Sequence, residues 1–341
     1  MRDPHYLHWT HMCNPFAMPV PRNLFIFLLA LPGAGLAQLA WNNRDTSFPG
    51  LPSGIHVYQT HSLLSGRPNH AWYVMASLQD RSLQFDVDST LRRRSTPAQF
   101  QHRNPTAAIV VNGTFFSFAD HKNLNVLIRR GRLLGYNIMS IPGRGKDTLS
   151  YHHVTRSAIG IDRQRRADVA WLYTDSNLRY PLAYAEGPAY GKGAQTPLTP
   201  SDLHSATTSE PKPRRWKMVT AIGGGPVLIH QGVLRITNDE ERMFMGKARE
   251  DLHPRTAMGY TRDGQLLMVV VEGRRPGKAE GASLTDLARI MLDLGAVEAL
   301  NLDGGGSSCL LVMGKETIRP SDKEGQRAVP GVFIIKSRPI R

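Results

Sequence analysis

LLMVVVEGRRPGKAEGASLTDLARIMLDLGAVEALNLDGGGSS, residues 266–308, reads as one folding unit. Residues 266–271 are an unbroken apolar run, as expected of a strand covered on both faces. Residues 283–294 then read as a helix. Ser283 can cap it, Asp286 stands where a capping box needs an acid, and Leu284, Leu287, Ala288, Met291 and Leu292 form one apolar stripe. Gly295 follows, where a helix end favours positive φ. Residues 297–302 are a second strand. Strand, helix and strand make a β-α-β unit, which normally sets two parallel strands with a right-handed crossover. Both strands then end at one edge of the sheet, and an acid follows each, Glu272 and Asp303. Ligands of open α/β sheets bind at that edge.

Outward from this unit, short runs bounded by Gly, Asn, Asp or Pro recur at 55–58, 71–77, 83–87, 107–111, 158–161, 219–222 and 332–335. The expected fold is therefore α+β, a strand-rich mixed sheet with a C-terminal β-α-β unit. With 41% hydrophobic and 21% charged residues the composition is globular, and 31 glycines and 23 prolines fit many turns. No internal repeat is visible. Residues 192–217, rich in Pro, Ser and Thr, read as a flexible surface insertion within one domain.

Residues 1–37 read as a signal peptide: Arg22, the apolar run 24–31, then small residues at Gly35-Leu36-Ala37. The segment before Met18 is unlike a normal leader, which makes Met18 an alternative start. The mature chain is expected to run from Gln38 and to be periplasmic or secreted. Cys13 lies in the leader, which leaves Cys309 without an internal disulfide partner. No stretch is long and apolar enough for stable membrane insertion. The net charge of +14 favours anionic partners. Nucleic acid is not expected, because the basic residues are scattered and not interleaved with aromatics.

Asp303-Gly304-Gly305-Gly306-Ser307-Ser308 is the strongest chemical signal. Three glycines after a buried strand forgo packing, which makes sense where a ligand approaches the main chain and amides form an anion nest. Asn112-Gly113-Thr114-Phe115-Phe116 and Gly223-Gly224-Gly225-Pro226 also follow strands, although each alone is an ordinary turn signal. Arg255, Arg274 and Arg275 stand beside strand ends, and Arg is the side chain that best holds a phosphate. Residues 273–279 lack the length and the hydroxyl of a P-loop, and neither GxSxG nor HExxH occurs. His152-His153 has no ligand partners at metal spacing, so neither a metal nor a cofactor is expected.

VNGTFF, AIGGGPVLIHQG, HPRTAMG, LLMVVVEGRRPG, SLTDLARIMLDLGAVEALNLDGGGSS and GQRAVPGVFII, in this order over about residues 50–337, resemble the phosphodiester glycosidase family. The resemblance implies a single phosphodiester-glycosidase-like domain over 38–341. It implicates Asn112, Gly225, Arg255, Thr256, Arg274, Asp303, Gly305, Ser307 and Arg327; Thr114 stands where the family pattern has Gly, and Glu272 where it has Asp. The implied reaction is hydrolysis of a sugar-1-phosphodiester to free sugar and phosphomonoester, on a phosphate-bearing glycan or cell-envelope polymer. In this reading Asp303 is nucleophile or base and Glu272 its partner. Arg255 and Arg274 clamp the phosphate, and the amides of Gly304, Gly305 and Gly306 complete the anion site. The alternative is a non-catalytic binder of anionic cell-envelope polysaccharide using the same basic rim.

Overall fold

The computed structural model describes residues 38–91, 93–143, 151–187 and 213–337. Gln38–Arg341 cluster as one compact unit; the proposed leader lies outside the described residues. Three sheets dominate, with eight, seven and five strands, and a two-stranded ribbon joins Ser140–Pro142 to Tyr151–His153.

The decisive stretch forms much as its pattern dictates. Gln265–Val271 is a strand and alternates between two cores, as the pleat requires. Leu266, Met268 and Val270 face a large cluster shared with residues of the other two sheets, including Ile109, Trp171 and Phe333. Leu267, Val269 and Val271 face the helix through Leu284, Leu287, Ala288 and Met291. That helix, Leu284–Asp293, has Ser283 as N-cap with both capping-box bonds to Asp286. Asp286 also accepts hydrogen bonds from Ser65 Oγ (2.6 Å) and Arg67 Nη2 (2.9 Å), which tie the helix start to a distant turn. Gly295 takes φ +83°. One member of the apolar stripe changes: Ile290 is buried, whereas Leu292 is 36% exposed.

The expected mixed sheet is not found: every strand pair among the described residues is antiparallel. The cause is the strand Arg255–Thr261, which lies between Gln265–Val271 and Ala296–Asn301 and pairs antiparallel with both. Hairpin pairing with its chain neighbour takes the place a parallel partner would have occupied. The two flanking strands therefore run the same way without touching, and Glu272 and Asp303 follow at the same edge.

The end of the stretch expected as a flexible insertion, 192–217, is built into a sheet. Residues 192–212 lie outside the described residues, but Arg214–Arg215 pair with Leu182 and Ala183, and Trp216 is fully buried against Leu172 and Ala221. A tryptophan after a basic pair supplies more burial than the polar context suggests.

Candidate active site

The loop after Ala296–Asn301 is held from three directions. Leu302 N–H donates to Thr256 O (2.8 Å), Asp303 N–H to Gly113 O (2.9 Å) and Gly305 N–H to Pro254 O (2.8 Å). Asn112, at the end of the strand Ala107–Asn112, is fully buried and forms the hub. Its Nδ2 donates to Asp303 O (2.6 Å), and its Oδ1 accepts from Thr256 Oγ1 (2.8 Å) and Cys309 N–H (3.0 Å). Thr256 Oγ1 also lies 3.2 Å from Ser308 Oγ. Asn112 and Thr256 thus shape the loop through its backbone and leave the Asp303 side chain to other duties.

Burial pushes the Asp303 carboxyl up to about 6, against the opposing pull of Ser307, the Gly304 N–H and the Arg327 guanidinium. Gly304 N–H donates to Asp303 Oδ1 at 3.0 Å. The buried Ser307 hydroxyl lies near enough to favour the carboxylate but has no partner in hydrogen-bonding geometry. A carboxyl poised near neutrality is suited to proton transfer, and above pH 6 to acting as a base or nucleophile.

Two of the three glycines make room for guanidinium groups. A Cβ on Gly305, whose φ is +62°, would stand 3.0 Å from Arg274 Nη2, and one on Gly306 would fall 2.2 Å from Arg327 Nη2 and 2.1 Å from Asp322 Oδ1. Arg327 forms a two-point pair with Asp322, Nε to Oδ2 at 2.7 Å and Nη2 to Oδ1 at 3.0 Å. Arg274 is exposed and reaches Ser321 Oγ at 3.4 Å. The expected amide nest is not formed as such, because the Gly304 and Gly305 amides are spent on Asp303 Oδ1 and Pro254 O. The loop's positive character comes instead from the side chains packed on it.

Arg255 is not placed as a free clamp. It is buried, its Nε donates to Ala282 O (3.0 Å), and its Nη2 donates to Asp251 O (3.0 Å) and Ala248 O (3.3 Å). Burial lowers its pKa to about 10, and Arg274 adds to the effect while Asp251 opposes it. Its guanidinium also lies 5.5 Å from the Phe244 ring. Arg255 therefore ties residues 246–251 to the strand start.

Glu272 is 1% exposed. It accepts hydrogen bonds from His70 Nδ1 (2.8 Å), Arg319 N–H (3.0 Å) and Arg275 Nη1. Burial alone would raise its pKa, but these donors outweigh burial and hold it down at about 2. Trp72 Nε1–H donates to His70 Nε2 (2.9 Å), which places the His70 proton on Nδ1, facing Glu272. Glu272 is a fully hydrogen-bonded anchor beside the site, charged at neutral pH. Gly225 lies farther along the same core: its φ is +125°, its N–H donates to Asn301 O (2.7 Å), and a Cβ there would meet Glu241 Oε2 at 2.4 Å.

Residues 319–327 are the part of the site that sequence reasoning missed apart from Arg327. They touch Glu272 through Arg319 and the glycine loop through Asp322. An acidic residue five positions before Arg327 was the available signal, obscured by a run that reads as a solvated turn. Among the described residues, no cluster of His, Cys, Asp or Glu is placed to hold a metal ion, and no helix is long and apolar enough to cross a membrane.

With this geometry in place, the comparisons with known proteins bear on residues 182–336, which match the phosphodiester glycosidase family model. Over that stretch the chain is similar to the phosphodiester glycosidase family. The human N-acetylglucosamine-1-phosphodiester alpha-N-acetylglucosaminidase is 38% identical over 106 residues, 31% of this chain and 20% of that protein. The bovine enzyme of the same name is 40% identical over 68 residues, 20% of this chain and 12% of that protein. The chain thus spans a fifth or less of the length of these curated relatives. The zebrafish catalytic domain of that name, auto-inhibited by its pro-peptide, superposes with a TM-score of 0.53 at 20% identity, covering 89% of this chain and 90% of that one. At that identity the likeness concerns the fold. The family match begins at residue 182, so Asn112 enters the site through its contacts with Asp303 and Thr256.

Proposed function

We propose that this chain is a phosphodiester glycosidase, an exported enzyme that hydrolyses a sugar-1-phosphodiester to free sugar and phosphomonoester. The observation that carries the reading is the Asp303 carboxyl, raised to about 6 on a loop against which Arg274 and Arg327 are packed. A phosphomonoester leaves readily, so the reaction needs a carboxylate at the anomeric carbon and cations around the phosphate more than a strong general acid. Asp303, ionised above pH 6, acts at C1 as nucleophile or as base toward water. The C1–oxygen bond breaks, the oxygen and its electron pair leave with the phosphate, and water supplies hydroxide to C1 and a proton to the solvent or the leaving group. Arg274 and Arg327 face the phosphate charge, whereas Arg255 and Glu272 fix the rim by internal bonding.

Export rests on the leader-like residues 1–37, and the phosphate-bearing glycan or envelope polymer on the basic balance. The test is incubation with a panel of sugar-1-phosphodiesters, with released reducing sugar and phosphomonoester both measured. Turnover that disappears in Asp303→Asn supports the reading. Tight binding of anionic polysaccharide without turnover of any diester replaces it with a binding protein.

A further inference from the structure

Basic residues that are scattered in the sequence meet at one end of the seven-stranded sheet. The strands Ala167–Tyr173, Arg156–Ile161, Thr220–Gly223, Leu127–Arg129 and Arg132–Gly135 lie side by side in that order. The turn at 162–166 joins the first two and the turn at 130–131 the last two, while Lys217 precedes the middle strand at the same end. Backbone bonds tie this end together: Val219 N–H donates to Ile161 O and Gly131 N–H to Val219 O, both at 2.8 Å. Arg165 reaches across to another layer, donating to Asp80 O (2.8 Å) and Leu83 O (3.2 Å), which sets Arg81 beside the row. Arg81, Arg130, Arg132, Arg163 and Lys217 are exposed, and none forms an ion pair among the described residues.

The carboxylates of this end are already occupied. Asp162 accepts from Arg166 Nε (2.9 Å) and Nη2 (2.7 Å), and Asp168 pairs with Arg214. Asp86 pairs with Arg129 and Lys336, Asp88 with Arg129, and Asp80 Oδ1 accepts the Ser82 N–H. Arg130 also stands at φ +52° before Gly131 at +75°, a turn position that favours Asn. Arginine there costs the fold something and gains no carboxylate partner in return.

We propose that this end of the sheet docks on an anionic phospholipid membrane. The proposal stands apart from the hydrolytic reading. At about 4.8 Å per strand the row of turns spans about 15 Å, and the second layer lies about 10 Å away, so the cations form a patch extended in two directions. A bilayer surface meets such cations together, and each one within a Debye length of the headgroups adds to the attraction. Residues 79–82, 130–132 and 162–166 contain no apolar side chain to enter the lipid and no aromatic on which a base could stack, so the contact is with headgroups and not with nucleic acid. Docking leaves the candidate active site on the far side, because Thr220–Gly223 starts at the patch and leads to Gly225, whose N–H donates to Asn301 O (2.7 Å).

The test is sedimentation of the full chain with vesicles of phosphatidylcholine alone or mixed with phosphatidylglycerol, in about 0.1 M and about 0.5 M salt. The wild type should prefer the anionic vesicles and lose that preference at the higher salt. Arg130→Asn/Arg132→Gln/Arg163→Gln should weaken binding to anionic vesicles about a hundredfold, at roughly fivefold per cation. Lysine at all three positions should retain it. Lys247→Gln/Arg262→Gln/Arg289→Gln removes three exposed cations elsewhere and should weaken it less than about fivefold. Absence of any preference for anionic vesicles, equal losses in the two glutamine variants, or loss in the lysine variant would overturn the proposal. So would tighter, equally patch-dependent binding of oligothymidylate or polygalacturonate.

Discussion

Asp303→Asn should make the protein inactive and more stable at the same time. The carboxyl is held at about 6 in the folded chain, against about 3.8 for an ordinary aspartate. Well below 3.8 both folded and unfolded chains carry it protonated, and nothing is lost. As pH rises from about 4 to 6, the unfolded chain ionises while the folded one still holds its proton, so stability falls across that window and the loss is complete above it. A gap of roughly two units corresponds to about 3 kcal/mol at 1.36 kcal/mol per unit, an upper bound for a partly accessible loop. Asn keeps the oxygen that accepts the Gly304 N–H and removes the charge. At pH 7.5 it should raise stability by about 1–3 kcal/mol, or several degrees in Tm, with little gain at pH 4. Urea melts at both pH values, with sugar release measured on the same preparations, make the assay. The wild-type kcat/KM should fall about tenfold per pH unit below 6. A variant that is less stable at pH 7.5, equally shifted at both pH values, or still active would refute the reasoning.

Three further outcomes follow from the packing. Arg255→Lys retains charge but cannot reach three carbonyls, so it should cost about 2–4 kcal/mol of stability in chemical denaturation, with any loss of activity tracking the unfolded fraction. Glu272→Gln should destabilise by about 3 kcal/mol at pH 7; because the Glu272 pKa is depressed to about 2, melts should show the deficit shrinking as pH falls from 4.5 towards 2. Trp216→Ala should cost about 3–5 kcal/mol by thermal melt, whereas deletion within 192–212 should change Tm little.

What the sequence made legible was local. The cap, the stripe and the glycine of residues 283–295 each act within a few positions, and the apolar run at 266–271 announced burial on both faces. The position of Asp303 followed from that pattern. What it concealed depends on partners far along the chain. Nothing local to Arg255 indicates that three carbonyls converge on its guanidinium, and nothing local to Glu272 announces His70. A triple glycine signals room for a ligand, but two of its members make room for Arg274 and Arg327. The antiparallel sheet was missed because a β-α-β pattern does not say which strand lies between its ends.

Asn112 has a consequence for the order in which the protein assembles. Its amide joins Asp303, Thr256 and Cys309, which are 191, 144 and 197 positions away. Contacts of such sequence separation require long loops to close before any compensation is gained, and they form late in folding. The site should therefore not exist in any partly folded chain, however much secondary structure that chain contains. Recovery of ligand binding after dilution from denaturant should follow the slowest kinetic phase and lag behind the return of far-ultraviolet ellipticity.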